Sequence, residues 1–162
     1  MNTEMIDRAG ILSMVPHQGG MCLLDAVLDW NDAGLRCRTD SHRHADNPLR
    51  GPDGLRAVHL CEYGAQAMAV HGGLLAQAGG GAARPGLLVS LRGVRLHRGH
   101  VHDLPGPLEV EAERLMAAEG SWQYGFRVSH QGELLAEGRA AVMLAPCGAG
   151  LASLSTTESS RP

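Results

Sequence analysis

The sequence predicts an α+β domain in which an antiparallel β-sheet wraps around one long, buried helix. One proline-free stretch, 55–77, is dominated by Ala, Leu and Met, which is typical of a helix. Two strand-length segments precede this stretch and four follow it, and turn residues separate them. The 162 residues suffice for a single domain with a substantial core, so we expect one domain.

The segments before the helix predict a β-hairpin and an irregular loop. Residues 21–30, "MCLLDAVLDW", are followed by the turn Asn-Asp-Ala-Gly and then by 35–39, which alternates apolar and polar residues like a half-buried strand. Residues 47–54 contain two prolines and two glycines, which interrupt both helices and strands. We therefore expect a loop that leads directly into the helix.

The helix carries apolar residues on almost every side and ends at a glycine-rich run from Gly79, so we expect the sheet to enclose it. The last two strand segments are separated by Gln-Gly, which predicts a tight hairpin. A sheet of this kind leaves one edge exposed, and a second subunit paired at that edge would cover it. We therefore expect a dimer. The four strand segments after the helix lie at 87–97, 107–117, 122–130 and 133–145.

The domain is predicted to span 1–146, and residues 147–162 lack any periodicity and are predicted to be a disordered tail. A net charge of -3 without a run of basic residues argues against nucleic acid as a partner. No segment approaches the roughly 20 apolar residues that span a bilayer, and the first residues do not resemble a signal peptide. We expect a cytoplasmic protein without a membrane partner.

The histidine-rich loop "SHRHADNPLR" allows two interpretations. If its backbone is extended, His42, His44 and Asp46 lie on one face, as a metal site requires. The pattern is the first half of a metallo-β-lactamase-type site, but Asn47 stands where that site has its last histidine. One ligand is missing, so we expect no metal and a histidine that acts without one. A second histidine cluster, 97–103, is predicted to be a solvated loop.

On the predicted helix, three polar residues lie on one side. His59, Glu62 and Gln66 fall within about 60° of one another at 3.6 residues per turn. A buried carboxylate is costly, so Glu62 must meet a partner, stay neutral or face a wet cavity, unless its role is structural. A loop histidine paired with this carboxyl group would suit removal of a proton next to a carbonyl, followed by loss of a protonated hydroxyl.

Three motifs in order, "VPHQGGMCLLDAV", "SHRHADNPLR" and "LCEYGAQAMAVHGG", resemble the hotdog-fold β-hydroxyacyl-carrier-protein dehydratases. Within that superfamily the chain is most similar to the ApeP-like dehydratase branch, which is associated with aryl polyene pigment clusters. The likeness extends from about Leu12 to Leu144. The resemblance implies the hotdog fold, in which the sheet wraps the central helix.

The resemblance also implies a site shared between two subunits. His42 of one subunit would remove the α-proton of a 3-hydroxyacyl thioester, and Glu62 of the other would assist departure of the hydroxyl group. Gln66 would orient Glu62, and the candidate substrate-binding residues are Gln66, Asn47 and His44. His44 is also an alternative base, because 20 positions separate His42 from Glu62 and the better-known dehydratases have a shorter path.

The implied partners follow from the same resemblance. No metal or other cofactor is expected, since the phosphopantetheine of an acyl carrier protein holds the substrate. The chain would form a homodimer or pair with another hotdog subunit. A hotdog thioesterase that uses Glu62 to activate water, and a catalytically weak partner subunit, are the alternatives. Arginines would form the surface that docks an acidic carrier, and the candidates are Arg50, Arg56, Arg84, Arg92, Arg95 and Arg98.

Overall fold

The structure is a computed structural model that describes residues 5–81 and 84–146. It contains a hairpin, then one long helix, then four strands, which is the order that the sequence predicts. Short 3-10 turns lie at Gly19–Met21, Ser41–Arg43 and Ala57–His59. The helices and strands in chain order are β1 (Ile6–Asp7), α1 (Arg8–Met14), β2 (Ala26–Trp30), β3 (Gly34–Thr39), α2 (Leu60–Ala78), β4 (Gly86–Leu96), β5 (Leu108–Ala117), β6 (Ser121–His130) and β7 (Glu133–Leu144).

A single antiparallel sheet of seven strands has the order β1-β2-β3-β5-β6-β7-β4. The helix α2 packs against β3, β5, β6 and β7, so the sheet curves around it. Alternate strand residues face α2 and form the core, as the period of two requires. The predicted α+β class, with a sheet wrapped around one long helix, is confirmed.

The helix α2 begins five residues later than the sequence predicts. The residues before it hydrogen-bond to another segment: Val101 N donates to Leu55 O at 3.0 Å, and Ala57 N donates to Gly99 O at 3.0 Å. These bonds flank an antiparallel bridge between Arg56 and His100, and the backbone of Arg56 is extended, with φ -79° and ψ 146°, which is not a helical conformation. The regular helix therefore starts only at Leu60, after a 3-10 turn.

Close approach of α2 to the sheet depends on a glycine. A Cβ at Gly64 would lie 2.7 Å from ring atoms of Phe126, closer than van der Waals contact allows. Phe126 is 2 % exposed and fills the space that this glycine leaves. The glycine in the motif "EYGAQ" is thus explained by packing between helix and sheet.

The short helix α1 has no counterpart in the predicted elements. Asp7 caps it, accepting a hydrogen bond from Gly10 N at 3.0 Å. Ile11 is buried in the core, and Met14 contacts α2 at Gly73, where a Cβ would be 3.0 Å away. Seven residues are too few for a clear helical period, and the stability of α1 comes from this packing.

The strand β4 forms one end of the sheet and is exposed on both faces. Leu87 is 69 % exposed and Val89 is 47 % exposed, which is unusual for apolar residues in regular structure. In the single chain β4 is therefore an exposed, apolar edge strand, and strands of this kind can pair with a second subunit.

Opposite charges alternate across the outer face of the sheet, which points away from α2. Each member of this row is the register partner of the next, so the side chains stand side by side on neighbouring strands. A hollow of about 820 Å³ lies over this face. From β2 to β4 the row, called the outer charge row below, is Asp29, Arg36, Glu111, Arg127, Glu137 and Arg95.

The predicted tail, 147–162, lies outside the described residues, so its disorder stays a prediction. Within the described part of the chain, no helix is long and apolar enough to cross a membrane.

Candidate active site

The histidine-rich loop is not extended. Ser41–Arg43 forms a 3-10 turn, closed by hydrogen bonds from Arg43 N to Asp40 O and from His44 N to Ser41 O, both 3.1 Å. His42 therefore points into the protein, whereas His44 and Asp46 are exposed. The expectation that these three side chains share a face was conditional on an extended backbone, and that backbone is absent. Among residues 5–81 and 84–146, no group of three His, Cys, Asp or Glu side chains could hold a metal ion.

His42 is buried with one ring nitrogen bonded and the other unbonded. Its Nε2 lies 3.0 Å from the carbonyl oxygen of Leu104, and because a carbonyl only accepts, Nε2 must hold the proton. Nδ1 then holds a lone pair, and this atom is buried without a hydrogen-bond partner among residues 5–81 and 84–146. Burial lowers the pKa of His42, opposed by the bond to Leu104. The ring is thus a neutral imidazole with an unoccupied proton-accepting atom.

A network of buried hydroxyl and amide groups holds the loop in place. Ser41 Oγ lies 2.8 Å from the hydroxyl of Tyr63 on α2 and donates to Leu23 O at 2.8 Å. Asn47 Nδ2 donates to Ser41 O at 2.9 Å and to Tyr63 OH at 3.0 Å, and Asn47 Oδ1 accepts from Leu49 N at 2.9 Å. The structure thus places Asn47 inside the loop, 6 % exposed, with its amide fully used by the chain.

Glu62 lies in the first turn of α2 and is partly exposed. Its Oε1 is 3.3 Å from Nε2 of His17 and 3.2 Å from Nε2 of Gln66. The side chain of Glu62 is 35 % exposed and that of His17 is 30 % exposed. The sequence left open whether this carboxyl group meets a partner, stays neutral or faces water. In the structure it has a partner and is also exposed to water.

The sequence did not point to His17 as a site residue. It belongs to "VPHQGG", which precedes the 3-10 turn at Gly19–Met21, and 45 positions separate it from Glu62. The only local signal is the Pro-His pair in the first of the three motifs. Proximity to Glu62 depends on how this segment packs on α2, which spacing along the chain does not reveal.

Gln66 joins the same segment to Glu62. Its Oε1 accepts from Leu23 N at 2.9 Å, and its Nε2 donates to Met21 O at 2.7 Å and to Glu62 Oε1. Gln66 is 1 % exposed, so its amide is held rigidly by backbone groups. Gln66 and Glu62 lie one helical turn apart on the same side of α2, as the spacing in the sequence predicts.

His42 and Glu62 make no hydrogen bond or ion pair with each other within the described residues. His42 hydrogen-bonds to the carbonyl oxygen of Leu104, whereas Glu62 accepts a hydrogen bond from Gln66 and lies at ion-pair distance, 3.3 Å, from His17. His44 is exposed at the surface. The described part of the chain thus holds two separate half-sites, one around His42 and one around Glu62.

The second histidine cluster is not a free loop. His102 Nδ1 accepts from Leu55 N at 3.1 Å, next to the start of α2, and Val101 is fully buried. The same loop supplies the carbonyl oxygens of Leu104 and Pro105, which accept from His42 and His130. The loop is thus exposed over most of 97–103, as predicted, but it is anchored at Val101 and His102, and the residues that follow it support His42.

Several known proteins resemble this chain. A 3-hydroxyacyl-[acyl-carrier-protein] dehydratase FabZ from Granulibacter bethesdensis is 30% identical over 147 residues, which are 86% of this chain and 83% of the relative. The dehydratase heterocomplex ApeI:P from Xenorhabdus doucetiae contains a chain with a TM-score of 0.74 and 24% identity, covering 85% of this chain and 91% of that one.

A more distant likeness concerns the fold alone. A hypothetical thioesterase with coenzyme A from Streptococcus pneumoniae has a TM-score of 0.56 and 11% identity, covering 74% of this chain and 84% of that one.

The model of the family described as "ApeP-like: ApeP dehydratase" matches residues 9–151. With most of its 162 residues matched, the chain belongs to the ApeP-like dehydratase family.

Proposed function

We propose that this dehydratase removes water from 3-hydroxyacyl thioesters held on an acyl carrier protein and yields the trans-2-enoyl thioester. The observation that carries the proposal is the pair of half-sites: a buried His42 whose Nδ1 has no partner among the described residues, and a Glu62 that accepts from Gln66 and lies 3.3 Å from His17. Elimination of water needs a base for the α-proton and an acid for the hydroxyl group. Two titratable groups in different environments meet that need.

In this mechanism Nδ1 of His42 removes the α-proton. The ring becomes positively charged in this step, and the hydrogen bond from Nε2 to the Leu104 carbonyl stabilises that charge and fixes the ring. Asn47 stabilises the loop that carries His42 through its hydrogen bond to Ser41 O. His44 is exposed and therefore lacks the buried environment of His42. His42 is therefore the proposed base.

The carboxyl group of Glu62 delivers a proton to the departing hydroxyl, which leaves as water. Gln66 orients that carboxyl group through Oε1. Because this side chain is partly exposed, water can restore its proton after each turnover. Burial raises the pKa of the neighbouring Cys61 thiol, which disfavours a covalent route through that residue.

A complete site would combine His42 of one subunit with Glu62 of another. Two findings support a paired assembly: His42 and Glu62 share no hydrogen bond or ion pair in the part of the chain that the structure describes, and β4 presents an exposed apolar edge. The partner is a second copy or a related hotdog subunit, as in the heterocomplex that this chain resembles. The carrier would dock on arginines near the site, and Arg50 and Arg56 flank the loop and the start of α2.

The test uses the full chain, alone and mixed with a related hotdog subunit, with a 3-hydroxyacyl carrier protein as substrate. Mass spectrometry should show that the carrier-bound acyl group has lost one water, about 18 mass units, and that the thioester is intact. Free acid would instead support a thioesterase. Turnover that requires the second subunit and survives His42→Ala and Glu62→Ala in this chain would assign it a supporting role.

A further inference from the structure

We infer that Tyr63 is a positioning residue for the base: its hydroxyl group ties both ends of the His42 loop, at Ser41 and Asn47, to the start of α2. This inference rests on the proposed dehydration. None of the three sequence motifs points to such a role for a tyrosine of the helix. Tyr63 takes no part in the proton transfers and acts only through His42.

The hydroxyl group of Tyr63 lies between the two ends of the loop. Ser41 directly precedes His42, and Asn47 follows in the same loop. The Tyr63 oxygen is 2.8 Å from Ser41 Oγ and 3.0 Å from Asn47 Nδ2. Among the described residues, the ring of His42 makes one hydrogen bond of its own, to Leu104 O. The position of the ring therefore depends largely on how the loop is held.

The chemistry of the partners determines the direction of each hydrogen bond. Asn47 Oδ1 accepts from Leu49 N at 2.9 Å, so the other end of this amide is the NH2 group, which only donates. One of its hydrogens points to the Tyr63 oxygen. Among the described residues, the acceptor left for the Tyr63 proton is Ser41 Oγ. Ser41 Oγ donates in turn to Leu23 O at 2.8 Å. The Tyr63 hydroxyl is thus the middle member of a directed chain of hydrogen bonds.

The whole chain is buried, which makes this hydroxyl group hard to replace. Tyr63 is 0 % exposed, and Ser41 and Asn47 are each 6 % exposed. Burial raises the pKa of Tyr63, opposed by its hydrogen bonds to Ser41 and Asn47, so the hydroxyl keeps its proton. Without the hydroxyl, both neighbours lose a partner in a place that water hardly reaches. The loop can satisfy them again by moving toward water, and His42 then moves with it.

The same chain of hydrogen bonds meets the other half-site at Leu23. Leu23 O accepts from Ser41, while Leu23 N donates to Gln66 Oε1 at 2.9 Å. Gln66 also donates to Glu62, which directly precedes Tyr63 on α2. The loop of the base is thus fastened to the helical turn that carries the acid. Loss of the Tyr63 hydroxyl should disturb the base and leave the acid held by Gln66.

A second buried tyrosine offers a matched control. Tyr124 is 1 % exposed, and its hydroxyl oxygen lies 2.8 Å from Nδ1 of His71, a residue outside the loop. When either tyrosine is changed to phenylalanine, the ring stays and one buried, hydrogen-bonded hydroxyl is lost. The cost in stability should therefore be similar for Tyr63→Phe and Tyr124→Phe. A difference in activity between them then reports on position rather than on stability.

The experiment compares these variants of the full chain in whichever assembly gives the wild type its turnover. Tyr63→Phe should lower kcat about tenfold with little change in KM, because it displaces the base and not the substrate. Tyr124→Phe should keep kcat within about twofold, and thermal melts should show similar losses of stability for both. Ser41→Ala removes the acceptor of the same hydrogen bond, so the double variant should lose less than the product of the two single losses.

The pH dependence of the rate is a readout that a loss of stability alone would not move. Burial lowers the pKa of His42, and the acid limb of the pH–rate profile reports protonation of this ring. A looser loop admits water, so in Tyr63→Phe the acid limb should move to higher pH by about half a pH unit. The charged and titratable groups that act on His42 are the same in both tyrosine variants, and they are Arg43, Asp40 and His130.

NMR titration of the His42 ring measures the same change without turnover. The pKa of His42 should be higher in Tyr63→Phe than in the wild type and unchanged in Tyr124→Phe. An unchanged pKa in Tyr63→Phe would overturn the inference, as would equal kcat losses in the two tyrosine variants or single losses that multiply in the double variant. If Tyr63→Phe does not fold, Ser41→Ala makes the same comparison. Lack of dehydration by the wild type counts against the proposed function, and the titration then decides on Tyr63 alone.

Discussion

The two half-sites differ in their contact with water. His42 is fully buried, and the one hydrogen bond that its ring makes within the described residues is to a backbone carbonyl from the loop before β5. The side chain of Glu62 is 35 % exposed, accepts a hydrogen bond from Gln66 and lies 3.3 Å from His17. A base works best where nothing competes for its lone pair, and an acid must regain its proton from solvent. The dry and wet environments therefore match the roles proposed for the two groups.

The strongest way to break this comparison is to remove the base. His42→Ala should lower the rate of enoyl formation by about 10³-fold, since general base catalysis contributes about 10²–10⁴-fold. The measurement is the rate of carrier-bound enoyl formation, with His97→Ala as the control at an exposed histidine. A residual rate near that of the wild type would transfer the role to another group, and His44→Ala would then be the variant to examine.

Removing the acid should have a smaller effect. Glu62→Gln keeps a side chain of the same shape but cannot give up a proton, so kcat should fall by about 10²-fold while KM changes little. A substrate whose leaving group is better than hydroxide needs less protonation of that group, so Glu62→Gln should lower its kcat less. An equal fall in kcat for both substrates would contradict the role of an acid. Steady-state kinetics with a matched pair of substrates makes this test.

The packing that holds the acid half-site can be tested on two glycines of α2. Gly64→Ala places a Cβ 2.7 Å from Phe126, and we expect the free energy of unfolding to fall by about 1–3 kcal/mol. At Gly72 the nearest atom would be 3.7 Å away, so Gly72→Ala should be neutral or stabilise by up to about 1 kcal/mol. Urea titrations of both variants measure the difference, and equal values would contradict the close fit at Gly64.

The dry half-site also predicts how stability depends on pH. Burial lowers the pKa of His42 and of His71, whose Nε2 donates to Asn31 O and whose Nδ1 accepts from Tyr124. The unfolded chain then binds more protons than the folded chain below about pH 6.5, so the free energy of unfolding should fall as the pH drops through that value.

Urea titrations at pH 7.5 and 5.5 check this direction. His42→Gln should reduce the difference between the two pH values, whereas His97→Gln should leave it unchanged. A free energy of unfolding that does not fall on acidification would contradict burial of neutral rings.

The elements around the acid could be foreseen better than those around the base. The polar stripe on α2 predicts that Glu62 needs partners and that Gln66 faces it, because helical spacing fixes which residues are neighbours. The loop of His42 has no such period. Its spacing suggests a shared face for three side chains, but local turn hydrogen bonds and the amide of Asn47 give it another conformation.

Long-range packing explains the other differences between expectation and structure. The approach of His17 to Glu62 and the bond from His42 to Leu104 join segments 45 and 62 positions apart. Neither pair leaves a local pattern. The start of α2 was predicted too early for the same reason, since Leu55 pairs with a loop that follows β4. The strands could be placed well because alternation and turns are local properties.

The outer charge row ends at β4 with Arg95, and Arg92 lies beside it over the same hollow. Two identical copies joined along this strand would bring four arginines to one seam, and like charges on neighbouring strands repel. Salt would screen that repulsion and strengthen association of identical copies. A different subunit with carboxylates at its edge would associate more weakly as salt rises. The salt dependence of assembly thus distinguishes self-pairing from heterotypic pairing along the same strand.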